Sequence, residues 1–214
     1  MPTITSFFIT RKHLIIKLIW LTYFAFLAFF IYSIQSLSLH PSWENFGRKA
    51  GQVAAGLFVL AVTPGILKRF AVTGTLQQIQ IILMTFRRQF GIGMYLFALM
   101  HSSWINNLTY FLNGQIPTPQ TLQQLIGTIA LYLTLPLFLT SNDFSQNKLG
   151  KYWDLLHKLV YLINWLIFAH IALIGKFNKV GALVGLVAIL EIASFISSRN
   201  RQSQNQPQTS PSPQ

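Results

Sequence analysis

Six predominantly apolar stretches, bounded by short polar or charged segments, set the plan of the chain. They run from Leu14 to Ile34, Gly51 to Leu67, Phe90 to Leu112, Leu122 to Thr140, Tyr152 to Gly175, and Val180 to Ile196. Crossing a hydrocarbon core of about 30 Å takes roughly 20 helical residues, and each stretch approaches or exceeds that length. The second is short and ends in Thr63-Pro64-Gly65, a helix stop signal. Pro136 should kink the fourth near one end, which membrane helices tolerate when neighbours satisfy the freed carbonyl. The first follows Arg11-Lys12 as a signal peptide's would, but its apolar run is too long for a typical signal core. The pattern therefore predicts an all-α integral membrane protein, a bundle of six transmembrane helices.

Composition agrees with a lipid solvent. Hydrophobic residues make up 52% of the chain and charged residues 9%, against roughly 25% charged in an ordinary soluble domain. The acids are Glu44, Asp143, Asp154 and Glu191, set against 16 Lys and Arg, for a net charge of +12. These cations flank apolar runs and form no stripe along a polar face, so membrane lipids are the expected partner and nucleic acid is not. The absence of cysteine excludes disulfides, thiolate zinc sites, cysteine-held iron–sulfur clusters and cysteine-tethered haem.

Charge bias also orients the bundle. With the N-terminus inside, the inner side holds Arg11, Lys12, Lys17, Lys68, Arg69, Arg87, Arg88, Lys148, Lys151, Arg199 and Arg201, and the outer side only Arg48, Lys49, Lys176 and Lys179. Both termini are then cytoplasmic and the loop from Asn113 to Gln120 is outside. Residues 1–198 form the bundle. Residues 199–214, rich in Gln, Ser, Pro and Asn, cannot bury enough surface to order and are expected to be a disordered tail. No stretch outside the bilayer leaves room for a soluble flavin, nicotinamide or haem domain. Gly91-Ile92-Gly93 lacks the third glycine of a dinucleotide fingerprint and follows no predicted strand.

The candidate chemistry lies in three histidines within these spans. Ionisable side chains at that depth are costly and usually face a bundle interior or a cofactor, and neutral imidazole is suited to hold a haem iron from both sides. His157 and His170 stand 13 residues apart on the fifth span, roughly 20 Å along a helix at about 1.5 Å per residue. That spacing suits two haems, one in each leaflet. His101, on the third span, falls at a depth similar to His170, so the two can clamp one iron. Rotation opposes a shared face for His157 and His170, because 13 steps at about 100° leave them well apart around the helix. His157 has no histidine opposite. Arg87 and Arg88 stand there instead, poor iron ligands but suited to a haem propionate or another anion. The competing assignment for any one histidine is a helix–helix hydrogen bond. Three at matched depths shift the balance toward ligation.

Other polar positions have simpler roles. Asp154 and Lys158 are spaced as an i,i+4 helix pair. Glu191 and Asn164 either reach water or carry protons. His13 and His40 flank the spans as structural residues, and Trp20, Trp104, Trp153 and Trp165 include interface anchors. Asn107-Leu108-Thr109 is a glycosylation sequon.

Several of these residues fall into a familiar order. Leu139-Thr140-Ser141, Leu149-Gly150-Lys151, Trp153, Leu156-His157-Lys158-Leu159-Val160-Tyr161 and His170 closely resemble the fifth-helix region of the MsrQ (YedZ) family. Ala61-Val62-Thr63-Pro64 resembles that family's second-helix ending, and Arg87-Arg88-Gln89-Phe90-Gly91 leading to His101 resembles its third-helix entry. The family belongs to the ferric-reductase-like transmembrane superfamily. The resemblance covers roughly residues 50 to 176. It implies a six-helix bundle in a bacterial inner membrane carrying b-type haem, one or two, on His101, His157 and His170, with an arginine where relatives have a fourth histidine. It also implies an acceptor such as MsrP, a periplasmic molybdenum enzyme that repairs oxidised methionine. Flavin (FMN) binding has been associated with the family, but no residue here identifies a flavin site. The polar stretch from Ser102 to Asn107 and the C-terminal tail depart from the family pattern.

The expected function is an electron-transfer subunit fed by a quinol or reduced flavin and emptied at the outer face. One alternative is the membrane domain of a ferric or oxygen reductase. Another is a non-redox assembly or transport protein whose histidines only bridge helices.

Overall fold

The computed structural model describes residues 4–35, 42–107, 110, 113–116, 118–174 and 179–204. His40, Lys176, Leu108 and Thr109 of the sequon, and residues 205–214 lie outside the described residues. The helices are α1 (Ile4–Thr10), α2 (Lys12–Gln35), α3 (Ser42–Phe70), α4 (Gly74–Ser102), α5 (Leu122–Leu139), α6 (Asp143–Leu149), α7 (Lys151–His157), α8 (Leu159–Ala172) and α9 (Lys179–Gln204). Residues Ser103–Asn107 continue α4 as a π-helix. Among the described residues, five helical stretches are long and apolar enough to cross a membrane: α2, α3, α5, α7 with α8, and α9. The expected third span is divided. Phe90–Ser102 closes α4, whose first half is polar and carries Arg87 and Arg88, and the chain then winds as the π-helix.

The centre of the bundle is α3 packed along α4, with α9 crossing α3 and α5 lying along α8. Phe58, Ile163, Val184 and Ala188 have no exposed surface; Phe58, Ile163 and Val187 pack in one apolar cluster of α3, α8 and α9, and Ala55, Ile171 and Val184 in a second. Leu21, Phe24, Leu186 and Ile189 point outward instead, as side chains facing lipid should, since lipid tails are as apolar as the core. On the other side of α4, Tyr23 of α2 donates to the Gln89 carbonyl at 3.1 Å. Gly93 makes this approach possible: a Cβ there would lie 2.4 Å from the Tyr23 ring carbon that bears the hydroxyl.

Three expectations are corrected. The helix does not stop at Thr63-Pro64-Gly65; α3 runs through to Phe70. Thr63 donates to the Val59 carbonyl at 2.7 Å and Arg87 donates to the Ala61 carbonyl at 3.1 Å, so neighbouring donors serve the turn that proline disturbs. The fifth span is not one helix. Lys158 separates α7 from α8, its N–H bonding to Leu155 and its carbonyl accepting from Tyr161, three residues away on either side. Because α7 has ended there, Asp154–Lys158 is not among the ion pairs of the described residues, which are Arg48–Glu44 and Arg88–Asp143. Finally, Arg199–Gln204 is helical, not disordered. The Arg201 guanidinium donates to the Arg69 and Phe70 carbonyls, satisfying acceptors that the end of α3 leaves unpaired.

Two further residues differ from their expected setting. Trp104 is buried, not interfacial: its indole N–H donates to Ser33 at 2.8 Å and its ring stacks on Trp43. Glu191, 3% exposed, does not reach water and accepts from the Asn164 amide at 2.9 Å.

Phe8 of α1 meets Phe86 of α4, and Arg201 of α9 meets the end of α3. The first and last described helices thus close on the same end of the bundle. At that end Asp143 pairs with Arg88 at 2.5 Å, tying the short α6 to α4. The guanidinium holds this exposed carboxyl below its ordinary range. A depressed folded value means the tether contributes above the unfolded value and is lost as pH falls through the folded one. Asp143→Asn is therefore expected to leave the bundle folded but to speed proteolytic nicking between residues 141 and 150 by a factor of a few. Acidification or high salt should speed nicking of the unmodified chain in the same segment. Unchanged nicking in the variant would remove the tether from the account.

Candidate haem-type site between four helices

His101 sits in the last turn of α4 and His170 near the end of α8. The two rings meet across the bundle with centres 6.2 Å apart and planes at 78°. Each is oriented the same way. His101 Nδ1 lies 2.8 Å from the Gly47 carbonyl of α3, and His170 Nδ1 lies 2.9 Å from the Gln123 carbonyl of α5. A carbonyl only accepts, so both Nδ1 atoms carry a proton, and in a neutral imidazole so held Nε2 is the nitrogen with the lone pair. A backbone acceptor on one ring nitrogen is the usual way a metal-ligating histidine is fixed in tautomer and orientation.

Glycine four residues after each carbonyl makes room for the ring. A Cβ on Gly51 would stand 2.8 Å from His101 Nδ1, and a Cβ on Gly127 would stand 2.6 Å from His170 Nδ1. The two halves of the site therefore use one device on different helix pairs: a carbonyl on one turn and an absent side chain on the next. Helix-interior glycine costs roughly 1 kcal/mol relative to alanine, so a packing reason of this kind is expected for it. The signal available in the sequence was the Gly47–Gly51 spacing and a lone Gly127 in an otherwise apolar helix.

A cavity of about 650 Å³ opens around the two rings, walled by Gly51, Ala54, Ala55, Ala98, Gly127 and Ala130 among others. Small side chains from three helices leave it open, and its size falls within the roughly 300–1,000 Å³ of small-molecule and cofactor sites. Glu44 and Arg48 also line it, paired at 3.0 Å with both side chains more than half exposed. Among the described residues no group of three or more His, Cys, Asp or Glu is placed to hold a metal. Two facing imidazoles alone suit a metal that arrives with its remaining ligands already attached.

The other residues singled out in the sequence lie elsewhere. The His157 ring stacks on Trp153, with centres 3.9 Å apart, and its Nε2 lies 3.2 Å from the Thr140 hydroxyl. Thr140 gives its own proton to the Pro136 carbonyl at 2.6 Å, so Nε2 of His157 carries a proton, opposite to the tautomer of the other two. His157 does not line the cavity. Neither arginine lines it either. Arg88 is bound to Asp143, and Arg87 faces a separate small cleft with Lys68 and Arg69.

The family model described as "Ferric reductase like transmembrane component" matches residues 50–169, from α3 into α8, ending one residue before His170. The chain belongs to this family. With its apolar helices, that membership makes it an integral membrane protein. It is also similar to curated relatives named protein-methionine-sulfoxide reductase heme-binding subunit MsrQ, from Brucella ovis, Brucella canis and Brucella suis. Each is 40% identical over 85 residues, covering 38% of this chain and 39% of the relative. The chain thus aligns with about two fifths of the length of these relatives. No solved structure matches it.

Proposed function

We propose that this ferric-reductase-like chain is a haem-binding membrane subunit that passes electrons, with His101 and His170 as the axial ligands of a b-type haem. The observation that carries the reading is the matched pair of imidazoles, each fixed through Nδ1 and separated by 6.2 Å. Two imidazoles facing each other across a cavity of cofactor size are the donor set that would hold a haem iron. The residues present therefore fit an iron held from both sides. When bound, haem supplies one-electron redox chemistry, tuned by axial ligand, burial and nearby charge. The chain's own part is positional. Gly47 and Gln123 hold the two rings through Nδ1, the glycine and alanine walls leave the space between the helices open, and the Arg48–Glu44 ion pair lies in the lining.

The finer features of the reading follow the sequence. The Phe90–Leu112 stretch completes six spans, and the basic end, where α1 and the end of α9 meet, is cytoplasmic. The likeness to a protein-methionine-sulfoxide reductase heme-binding subunit supports a methionine sulfoxide reductase subunit as acceptor; the resemblance read from the residues adds a bacterial inner membrane, a quinol or reduced flavin (FMN included) as donor, and an MsrP-like molybdenum enzyme as that subunit. His157, with Arg87 nearby, is the place for a second haem; its ring must first leave Thr140.

A pyridine haemochrome titration of the purified chain tests this reading and counts the haems. One haem per polypeptide is expected from the His101–His170 pair, and two if His157 also ligates. Colourless protein after expression with ample haem would return the histidines to helix bridging and leave a non-redox membrane protein.

A further inference from the structure

The bundle carries a second, smaller cleft at its basic end, between α3, α4 and α8. It measures about 220 Å³ and is lined by Lys68, Arg69, Arg87 and the Tyr161 hydroxyl over an apolar floor that includes Val62 and Met84. Lysine and arginine at a membrane boundary ordinarily extend toward water and headgroups. Arg69 does not. Its Nε donates to Ser194 at 2.8 Å, its Nη1 to Tyr161 at 3.2 Å, and its guanidinium lies over the Phe195 ring at 4.1 Å. These contacts fix the group inside the bundle with Nη2 buried and without a partner. Arg87 donates through Nε to the Ala61 carbonyl at 3.1 Å and, with its side chain still exposed, also lines the cleft.

Arg69, held inside the bundle, and the exposed Lys68 and Arg87 line one small space whose lining contains no carboxylate; Glu191, one turn from Arg69's partner Ser194 on α9, lies outside that lining. Buried donors without acceptors are costly, and like charges this close repel unless an anion lies between them. The dimensions and donors limit what that anion is. A whole ring system needs a site of roughly 300 Å³ or more, so the cleft takes a compact group. A carboxylate offers two oxygens. A phosphate offers three or four acceptors in a tetrahedral array, matching two guanidinium forks, an ammonium and a hydroxyl arriving from different helices.

We propose that this cleft is a phosphate-binding site, filled either by the headgroup of an anionic phospholipid or by a free phosphate or phosphate ester. The assignment rests on no part of the haem reading.

The test uses the full chain in phosphatidylcholine nanodiscs, titrated with inorganic phosphate against chloride at equal ionic strength. One saturable phosphate site per chain is expected, and Lys68→Gln with Arg69→Gln should weaken it at least tenfold, whereas Arg88→Gln, outside the cleft, should not. If that double variant fails to fold, Lys68→Gln with Arg87→Gln interrogates the same cleft. Repeating the titration in nanodiscs containing phosphatidylglycerol separates the sources. Loss of phosphate binding there gives the site to the lipid headgroup, and retention gives it to free phosphate or a soluble ester. The proposal is overturned if neither phosphate nor phosphatidylglycerol changes the wild-type melting midpoint beyond chloride, or if the cleft variants bind as wild type. It is also overturned if phosphate binding vanishes on full haem loading, which would assign the cleft to a haem propionate.

Discussion

Replacing His170 with alanine is expected to remove most of the haem absorbance of the purified protein while leaving its helical content unchanged. The ring makes two contacts that matter, Nδ1 to the Gln123 carbonyl and Nε2 toward the shared cavity. Losing the first leaves no stranded group, because a carbonyl within α5 retains its own helical N–H partner. Losing the second removes one of the two proposed iron ligands. Deleting merely an outer-shell partner of a metal ligand typically costs 10–100-fold in metal affinity, so occupancy should fall by at least about tenfold. His101→Ala should behave alike, since its ring is held by the same device from α3. Added imidazole, which fits the vacated space, should restore part of the spectrum in either variant. His157→Ala should have a smaller effect on the main absorbance, because its Nε2 is engaged with Thr140 outside the cavity. A reduced spectrum identical to wild type in both His101→Ala and His170→Ala would end the ligand assignment.

Gly127→Ala should come second in effect, without touching either ligand. The new methyl would stand 2.6 Å from His170 Nδ1 and 2.7 Å from its Cε1, so ring or helix must move. Overpacking of this kind costs about 1–3 kcal/mol, and at about 1.4 kcal/mol per tenfold it corresponds to roughly a 5- to 150-fold loss of haem affinity if it falls on the loaded state. The displaced ring should also shift the reduction potential and the low-spin resonance signature of whatever haem remains. Gly51→Ala should act in the same direction on His101, where the approach is 2.8 Å. Gly56→Ala, with nothing within 4 Å of the added carbon, is the matched control. It should be neutral or slightly stabilising, as alanine is the better helix former. Equal behaviour of Gly127→Ala and Gly56→Ala in haem content and potential would show that the cradle has no role in positioning the ligand.

Much of this arrangement was legible in the residues because depth in a bilayer is nearly a one-dimensional quantity. Apolar run length, boundary charges and residue count along a helix place His101 and His170 at similar height. Counting also left His157 off His170's face while still reading it as a ligand of a second haem; in the bundle its ring packs on Trp153 outside the cavity. The misreadings share a cause. Thr63-Pro64-Gly65 looks like a helix end, and Arg199–Gln204 looks like part of a disordered tail, if only local propensity is weighed. In the bundle, Arg87 of α4 serves a carbonyl in the proline turn, and the end of α3 offers Arg201 its acceptors. Each element is completed by a partner far away in sequence.

The chain by itself determined the solvent, the spans, the height of the histidines and the absence of any thiolate chemistry, because these follow from composition and spacing alone. Only the tertiary structure decided which imidazoles meet, which ring nitrogen each leaves free, why Gly51 and Gly127 are glycines, and that Lys68, Arg69 and Arg87 line one cleft. Those facts depend on how helices rotate and approach one another. That is set by close packing of side chains distant in sequence, which no periodicity along a single helix records.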